Sequence, residues 1–399
     1  MGNQFTNDPY QELGVSSKKT GVHKAIEHLS KGLYPGAFCQ IVPMPQSLAT
    51  PTNFFDGFAQ IIHSDGVGTK SNVAYIAMKE GISDEFLSHL AQDAIVMNTD
   101  DMACVGVVND IYISNHIARN ANRVNDEALA LIIGGYASFF EKMQDLGINL
   151  YNAGGETADV GSYTSTMGID VTATAIIRKS QIIDCSNIGP DEFIVGLASD
   201  GKCNYETKEN SGIRSNGLTL AINSLLSPYY RKYTEAMDGT IDPEKLFCGK
   251  YRLTDHLPGS NLTVAEAILS PTRTYLPVIR DILYDDILVS GIIHCSGGGL
   301  TKSINFGSGI TYVKDGVPGL RIPPIFKAIQ EARNIDDYHM YQTFNMGVGM
   351  EIVVETEECA KKVIQHANKY GIKAYMVGHT EKSADGVNRV AIGSLLYTK

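Results

Sequence analysis

The strongest constraint on this chain is that its short apolar runs end repeatedly in glycine-and-acid loops, with helical stretches between them. "QIIHSDGVGTK", "LYNAGGETAD", "IIHCSGGGL" and "NMGVGMEIVV" all belong to this pattern. Short apolar runs bounded by turn residues read as strands. Before residue 179 the pattern predicts a strand Phe58–His63, a helix Asp84–Met97 capped by Ser83, a helix Asp126–Leu146, and strands Ile148–Tyr151 and Gly168–Ile177. Residues 179–192, with Pro190, read as a polar hinge. Beyond it "GMEIVVE" is a strand, Thr356 caps "EECAKKVIQHANKY", Gly371 stops that helix, and "AYMVGHTEKS" is a strand again. Strands alternating with helices in both halves give an α/β (α+β) class, divided into residues 1–180 and 181–399. Cys203–Asn210 and Tyr233–Pro243 are polar and read as loops or insertions.

Composition narrows the function classes. The formal charge is -11 and no basic cluster stands out, which argues against a nucleic-acid partner. No apolar run approaches the roughly 18 residues of a membrane helix. The seven cysteines are scattered, with no C-x-x-C pair, as expected of reduced thiols in a cytoplasmic protein. The opening "MGNQFTNDPY" has no apolar signal core. Small anionic ligands stay open, because glycine loops and helix N-termini bind phosphate without net positive charge.

Six clusters carry candidate chemistry. In "SDGVGTK" the order of threonine and lysine excludes a Walker loop, which ends in lysine followed by serine or threonine. An acid at a strand end can hold Mg²⁺, glycine N–H groups can approach a phosphate, and Lys70 adds a charge; a plain tight turn fits as well. In "QDAIVMNTDDMACVG", Asp93 and Asp100 share a helical stripe with Asp101 beside it; such carboxylates form a solvated acidic face or, against apolar neighbours, need a cation. "LYNAGGETADVGSY" presents Glu156 where a strand ends at Gly154-Gly155. "SGIRSNGLTL" places Ser215 and Asn216 at a helix start, suited to phosphate or to simple capping. "IIHCSGGGLTK" delivers His294 and then Gly297, Gly298 and Gly299, a very close backbone approach to a ligand or to another element. Asn345, Gly347 and Gly349 break the entrance to a strand. With no haem, thiol or dinucleotide signature, these loops point to a Mg-nucleotide phosphotransfer site.

Taken in order, "DGVGTK", "DDMACVG", "GGETAD", "SGIRSNG", "SPTRTY", "HCSGGG" and "TFNMGVGM" resemble the motifs of the aminoimidazole ribonucleotide synthetase (phosphoribosylformylglycinamidine cyclo-ligase) family, over about residues 10–395. "DGVGTK" alone is shared with selenophosphate synthetase and thiamine-monophosphate kinase. The resemblance implies ATP-dependent ring closure of formylglycinamidine ribonucleotide to aminoimidazole ribonucleotide in purine biosynthesis. It implies ATP and Mg²⁺ as cofactors. It also implies a cytoplasmic homodimer in which the N-terminal domains pool strands into a shared β-barrel. By motif position Asp65 and Asp101 would bind magnesium. Gly66, Gly68, Thr69, Lys70 and Glu156 would join them around ATP. Ser215, Asn216 and Gly297–Gly299 would lie near the substrate, and Lys70 and His294 would be catalytic.

The chain also departs from the family. Arg214 stands where histidine is common; an arginine fork there would grip a phosphate in two places, remove a proton-transfer group, or point to solvent, and its role stays open. Val107, Val108 and Asn109 replace the usual Ala-Glu-Pro, and the N-terminal glycine-rich segment shrinks to "LYPGAFCQ". One rival reading, selenophosphate synthesis, would need Cys39 as nucleophile. The other is a nucleotide-binding subunit without catalysis.

Overall fold

The computed structural model describes residues 8–15, 24–44 and 55–399. The chain is mixed α/β, and each half is built on its own sheet. The first sheet has five strands: β1 (Ile41–Pro43), β2 (Phe58–Gly66), β3 (Ile111–Arg119), β4 (Leu150–Asp159) and β5 (Met167–Arg178). Their order is β1-β2-β5-β3-β4, antiparallel except for the parallel β3–β4 pair. On β5, Ile169, Val171, Ala173, Ala175 and Ile177 are buried while Asp170, Thr172 and Ile176 are exposed. That period of two covers one face and leaves the other bare. Helix α2 (Glu85–Ala103) lies against β2 and β5, helix α3 (Asp126–Asp145) packs on α2, and the shorter α1 (Lys70–Lys79) precedes them.

Two short 3-10 turns, Lys179–Gln181 and Cys185–Asn187, link to the second sheet, beside which the short strands β7 (Asp200–Gly201) and β8 (Asn210–Ser211) pair with each other. Strands β6 (Phe193–Ala198) and β11 (Val348–Val354) of that sheet and its edge strand β9 (Gly291–His294) are apolar and almost wholly buried. Strands β12 (Ala374–Lys382), β10 (Ile310–Val313), β13 (Arg389–Ile392) and β14 (Leu395–Thr398) extend it in the order β14-β13-β10-β12-β6-β11-β9. Helix Glu357–Lys369 covers one face, with Thr356 capping it through the Cys359 N–H and Gly371 at φ 73° closing it.

Four expectations need correction. Helix α2 runs six residues past Met97, to Ala103. "NTDDMA" is poor helix sequence, but tertiary partners for its acids override propensity. Ser83 is not the N-cap: Asp84 occupies that position, and Ser83 Oγ only accepts from Glu85 N at 3.3 Å. Strand β4 continues through Gly154-Gly155 to Asp159, and β2 runs three residues past His63 to include Gly66. A Cβ on Gly66 would collide with Asp170, and one on Gly155 with the Asn115 carbonyl, so glycine there permits strand pairing rather than ending it. Helix α1 and the inner strand β3 were not anticipated, although Ile111 and Ile113 alternate as a strand requires.

Candidate active site

Helix α2 is wedged between the first sheet and the second half of the chain, where it meets β9 and the helix Leu276–Tyr284. Asp93, Asp100 and Asp101 on it are therefore buried, and each has a partner. Asp93 Oδ1 accepts from Lys70 Nζ at 2.8 Å, Thr272 N at 2.7 Å, Thr272 Oγ1 at 2.5 Å and Ser215 Oγ at 3.1 Å. Asp100 accepts from Thr274 Oγ1 at 2.8 Å, Tyr275 N at 3.2 Å and Arg214 Nη2 at 3.4 Å. The cations that this acidic stripe needs are thus Lys70 and Arg214. Seven helical residues span about 10.5 Å. The segment Thr272–Tyr275 has nearly that reach at about 3.3 Å per residue. "SPTRTY" therefore works as a clip running along the helix. Arg273 anchors the clip to the second sheet by donating to the carbonyls of Ala198, Asp200 and Gly201 and to Glu206. Glu206 comes from the polar Cys203–Asn210 insertion, so that insertion closes the clip.

This geometry gives three of the named residues protein partners. Lys70 is fully buried and donates to Asp93 and to the Ser270 carbonyl at 2.5 Å, so its ammonium is not free for phosphate. The Ser215 hydroxyl bonds Asp93 and Thr272, inside the same network. Arg214 is 1% exposed, and its fork grips Asp100, the Arg273 carbonyl and His294 instead of a phosphate.

Asp101 is placed differently. It is 8% exposed, with Oδ1 2.5 Å from His294 Nδ1 and Oδ2 3.3 Å from His63 Nε2. Burial by itself would raise its pKa, but hydrogen bonds from His294 and His63 hold it far below the usual carboxylate range. Hydrogen-bond logic assigns the two histidines. Asn98 Nδ2 donates to the carbonyls of Asp65 and Ala94, so its Oδ1 faces His63 Nδ1 at 2.9 Å. Both His63 nitrogens then face acceptors, the arrangement of an imidazolium. Burial opposes that charge, yet contact with Asp101 leaves the pKa raised. His294 is the reverse case: burial and the neighbouring Arg214 lower it to about 4, so its ring is neutral. His294 is buried, and its two nitrogens meet Arg214 and Asp101. His63 escaped the sequence reading, although it stands two residues before Asp65.

Two further groups tie to this cluster: the Asp65 carbonyl accepts from Asn98, whose Oδ1 faces His63, and the Lys302 charge acts on Asp101. Asp65 is exposed and accepts from Gly66 N at 2.7 Å, and Gly68 takes φ 56° with open space around it. Thr69 Oγ1 meets Thr219 Oγ1 at 2.8 Å, joining this loop to the helix that starts at Leu218. A Cβ on Gly297 would sit 3.6 Å from Asn216 Oδ1, which brings those two residues together. Gly299 serves packing: a Cβ there would strike the carbonyls of Tyr341 and Phe344. Lys302, also unforeseen, donates to Ser296 Oγ at 2.7 Å and lies 4.6 Å above the Phe38 ring. Among the described residues it has no carboxylate within ion-pair distance. Glu156 stands apart: it is exposed on β4, three strand spacings or about 14 Å from the Asp65 end of β2.

Comparison with known proteins decides the family. Residues 51–177 match the AIR synthase related protein N-terminal domain and residues 252–390 its C-terminal domain. A phosphoribosylformylglycinamidine cyclo-ligase from Methanocaldococcus jannaschii is 33% identical over 332 residues, 83% of this chain and 81% of that one. The chain belongs to the phosphoribosylformylglycinamidine cyclo-ligase family. The Acetivibrio thermocellus cyclo-ligase, 30% identical over 330 residues, covers 81% of this chain and 82% of its own. Two solved structures share the fold. T. maritima PurL complexed with ADP has a TM-score of 0.55 at 15% identity and covers 99% of this chain and 51% of its own. Thiamine monophosphate kinase from Aquifex aeolicus has a TM-score of 0.51 at 10% identity and covers 98% and 99%. The cyclo-ligase is a ligase of purine biosynthesis that closes its ring at the expense of ATP, as the motifs implied.

Lys70→Met tests the buried lysine. Breaking a buried ion pair costs about 3–5 kcal/mol, so the denaturation midpoint should fall sharply. An unchanged midpoint with a raised KM for ATP would return Lys70 to the phosphate.

Proposed function

We propose that formylglycinamidine ribonucleotide and Mg-ATP react in the cleft between the 65–69 loop, Asp101 and the Gly297–Gly298 turn. One observation carries this reading: Asp101 is held as an anion by two histidines, with the charge of Lys302, which has no carboxylate partner among the described residues, acting on it. The formyl amide oxygen takes the γ-phosphoryl group and ADP leaves. An amidine nitrogen then attacks the activated carbon, loses a proton, and phosphate departs. In this reading Gly66, Gly68 and Thr69 border the triphosphate, while Asn216, Gly297 and Gly298 border the substrate. Lys302 takes the phosphate-binding part expected of Lys70. The chain's contribution is positioning and charge stabilisation.

Asp65 and Asp101 would hold the magnesium. The fit is sound: Asp101 is anionic, and each oxygen bonded to a histidine keeps acceptor capacity. Among the described residues no group of three or more His, Cys, Asp or Glu forms a cage. Magnesium suits such a sparse site, because it takes one or two carboxylates and completes its shell with phosphates and water. When bound it neutralises triphosphate charge.

The selenophosphate alternative is disfavoured by Cys39, which is buried with its thiol pKa pushed far up by that burial. Residues 1–180 form the nucleotide-binding and dimerisation domain in this reading, residues 181–399 form the second domain, and the enzyme works in the cytoplasm. Among the described residues no helix is long and apolar enough to cross a membrane. The homodimer has a physical motive. Ile62, Tyr112, Tyr151 and Ile176, all on the uncovered face of the first sheet, are 41–59% exposed, and the two tyrosines stack at 5.0 Å. A second copy would cover this face and close a shared barrel, and only across such an interface would Glu156 join a nucleotide site.

Purified protein given the amidine ribonucleotide and Mg-ATP should release one aminoimidazole ribonucleotide per ADP. ATP hydrolysis without imidazole product would refute the reading. Separately, Ile176→Asp should shift the light-scattering mass from dimer to monomer, and an unchanged dimer mass would place the interface elsewhere.

A further inference from the structure

Arg214 is buried beside the proposed chemistry and is held unusually firmly. Its backbone lies in the left-handed region at φ 60°, uncommon for a residue with a side chain. Nη1 donates to the Arg273 carbonyl at 3.1 Å, Nη2 reaches Asp100 at 3.4 Å, and the guanidinium lies 5.1 Å from the Tyr275 ring centre. Asp100 is itself fixed by Thr274 and the Tyr275 N–H. Gly349 makes room for the group, because a Cβ there would collide with the Tyr275 hydroxyl and crowd Arg214 Nη1. The guanidinium therefore cannot swing away.

From this cage Nη2 approaches His294 Nε2 at 2.5 Å. A guanidinium only donates and does not lose its proton in proteins. His294 Nε2 must then be the acceptor, and the single proton of the neutral ring sits on Nδ1. That proton is donated to Asp101 Oδ1. A histidine in place of Arg214 could donate or accept and would leave the choice of tautomer open.

We infer that Arg214 is a positioning residue: it fixes His294 as its Nδ1–H tautomer and so orients the Asp101 carboxylate, without touching either substrate. The inference rests on the reading of the Asp101 cleft as the reaction site. Asp100 is the brace that holds the guanidinium in place. An outer partner of this kind typically changes activity by about 10- to 100-fold when removed.

The test separates positioning from structural support. Arg214→Met strands the buried Asp100 charge and should lower the denaturation midpoint. Arg214→Met/Asp100→Asn removes that charge and should recover much of the midpoint. The double variant should still show a kcat about 10- to 100-fold down, with KM held for both substrates. In ¹⁵N-histidine-labelled protein, His294 should gain the Nε2–H tautomer in the double variant. It should keep Nδ1–H in Arg214→Lys, because lysine is also a pure donor. A wild-type kcat in the double variant, or His294 remaining Nδ1–H there, overturns the inference. A raised KM for the amidine with kcat unchanged overturns it too, by making Arg214 a phosphate ligand. If wild-type protein makes no imidazole product, the function reading falls, while the tautomer spectrum still decides the role of Arg214.

Discussion

The structure depends on how helix Glu85–Ala103 accommodates three carboxylates inside a protein interior. A buried, uncompensated charge costs several kcal/mol, so each acid has to be met where it lies. Lys70 meets Asp93 from the first half of the chain, and Arg214 meets Asp100 from the second. The "SPTRTY" segment completes both sites with hydroxyl and N–H donors. Because the acids belong to one half and most of the donors to the other, pairing the charges also docks the two halves. The relative placement of the two sheets follows from this one row of contacts.

Asp101 is the residue the row leaves over. It lies one position round the helix from Asp100, and its compensation comes from histidines rather than from a lysine or arginine. Histidine pairs keep the carboxylate anionic without occupying it fully. Under the proposed function, the same helix supplies two structural carboxylates and one chemical carboxylate, distinguished only by which surface each meets. The glycines divide in the same way. Gly68 and Gly297 leave open backbone, whereas Gly66, Gly155, Gly299 and Gly349 exist because another group fills the space where a Cβ would be.

Much of the fold was legible in the sequence, since periodicity and glycine punctuation mark elements whatever their partners. The helix Asp126–Asp145, strand β5, the Thr356 cap and the strand carrying His294 all followed from local pattern. Strand ends within "SDG" and "NAGGE" were misjudged because a glycine that admits a neighbouring strand looks the same as one that ends a strand. The site was legible as a set of motifs but not as a set of roles. Lys70, Ser215 and Arg214 are polar residues at glycine-rich loops, and nothing local shows that their partners are protein groups up to 200 residues away. His63 and Lys302 passed unnoticed for the converse reason: each gains meaning only from Asp101, which the fold brings to it.

The central claim is the division of labour along the helix. Its most direct measurement is the unfolding free energy and turnover of Asp93→Asn, Asp100→Asn and Asp101→Asn, taken side by side. The account predicts that the first two lose stability, each by about 3–5 kcal/mol, while the third keeps its stability and loses Mg-ATP-dependent ring closure. Equal destabilisation in all three, or wild-type turnover in a well-folded Asp101→Asn protein, would contradict it.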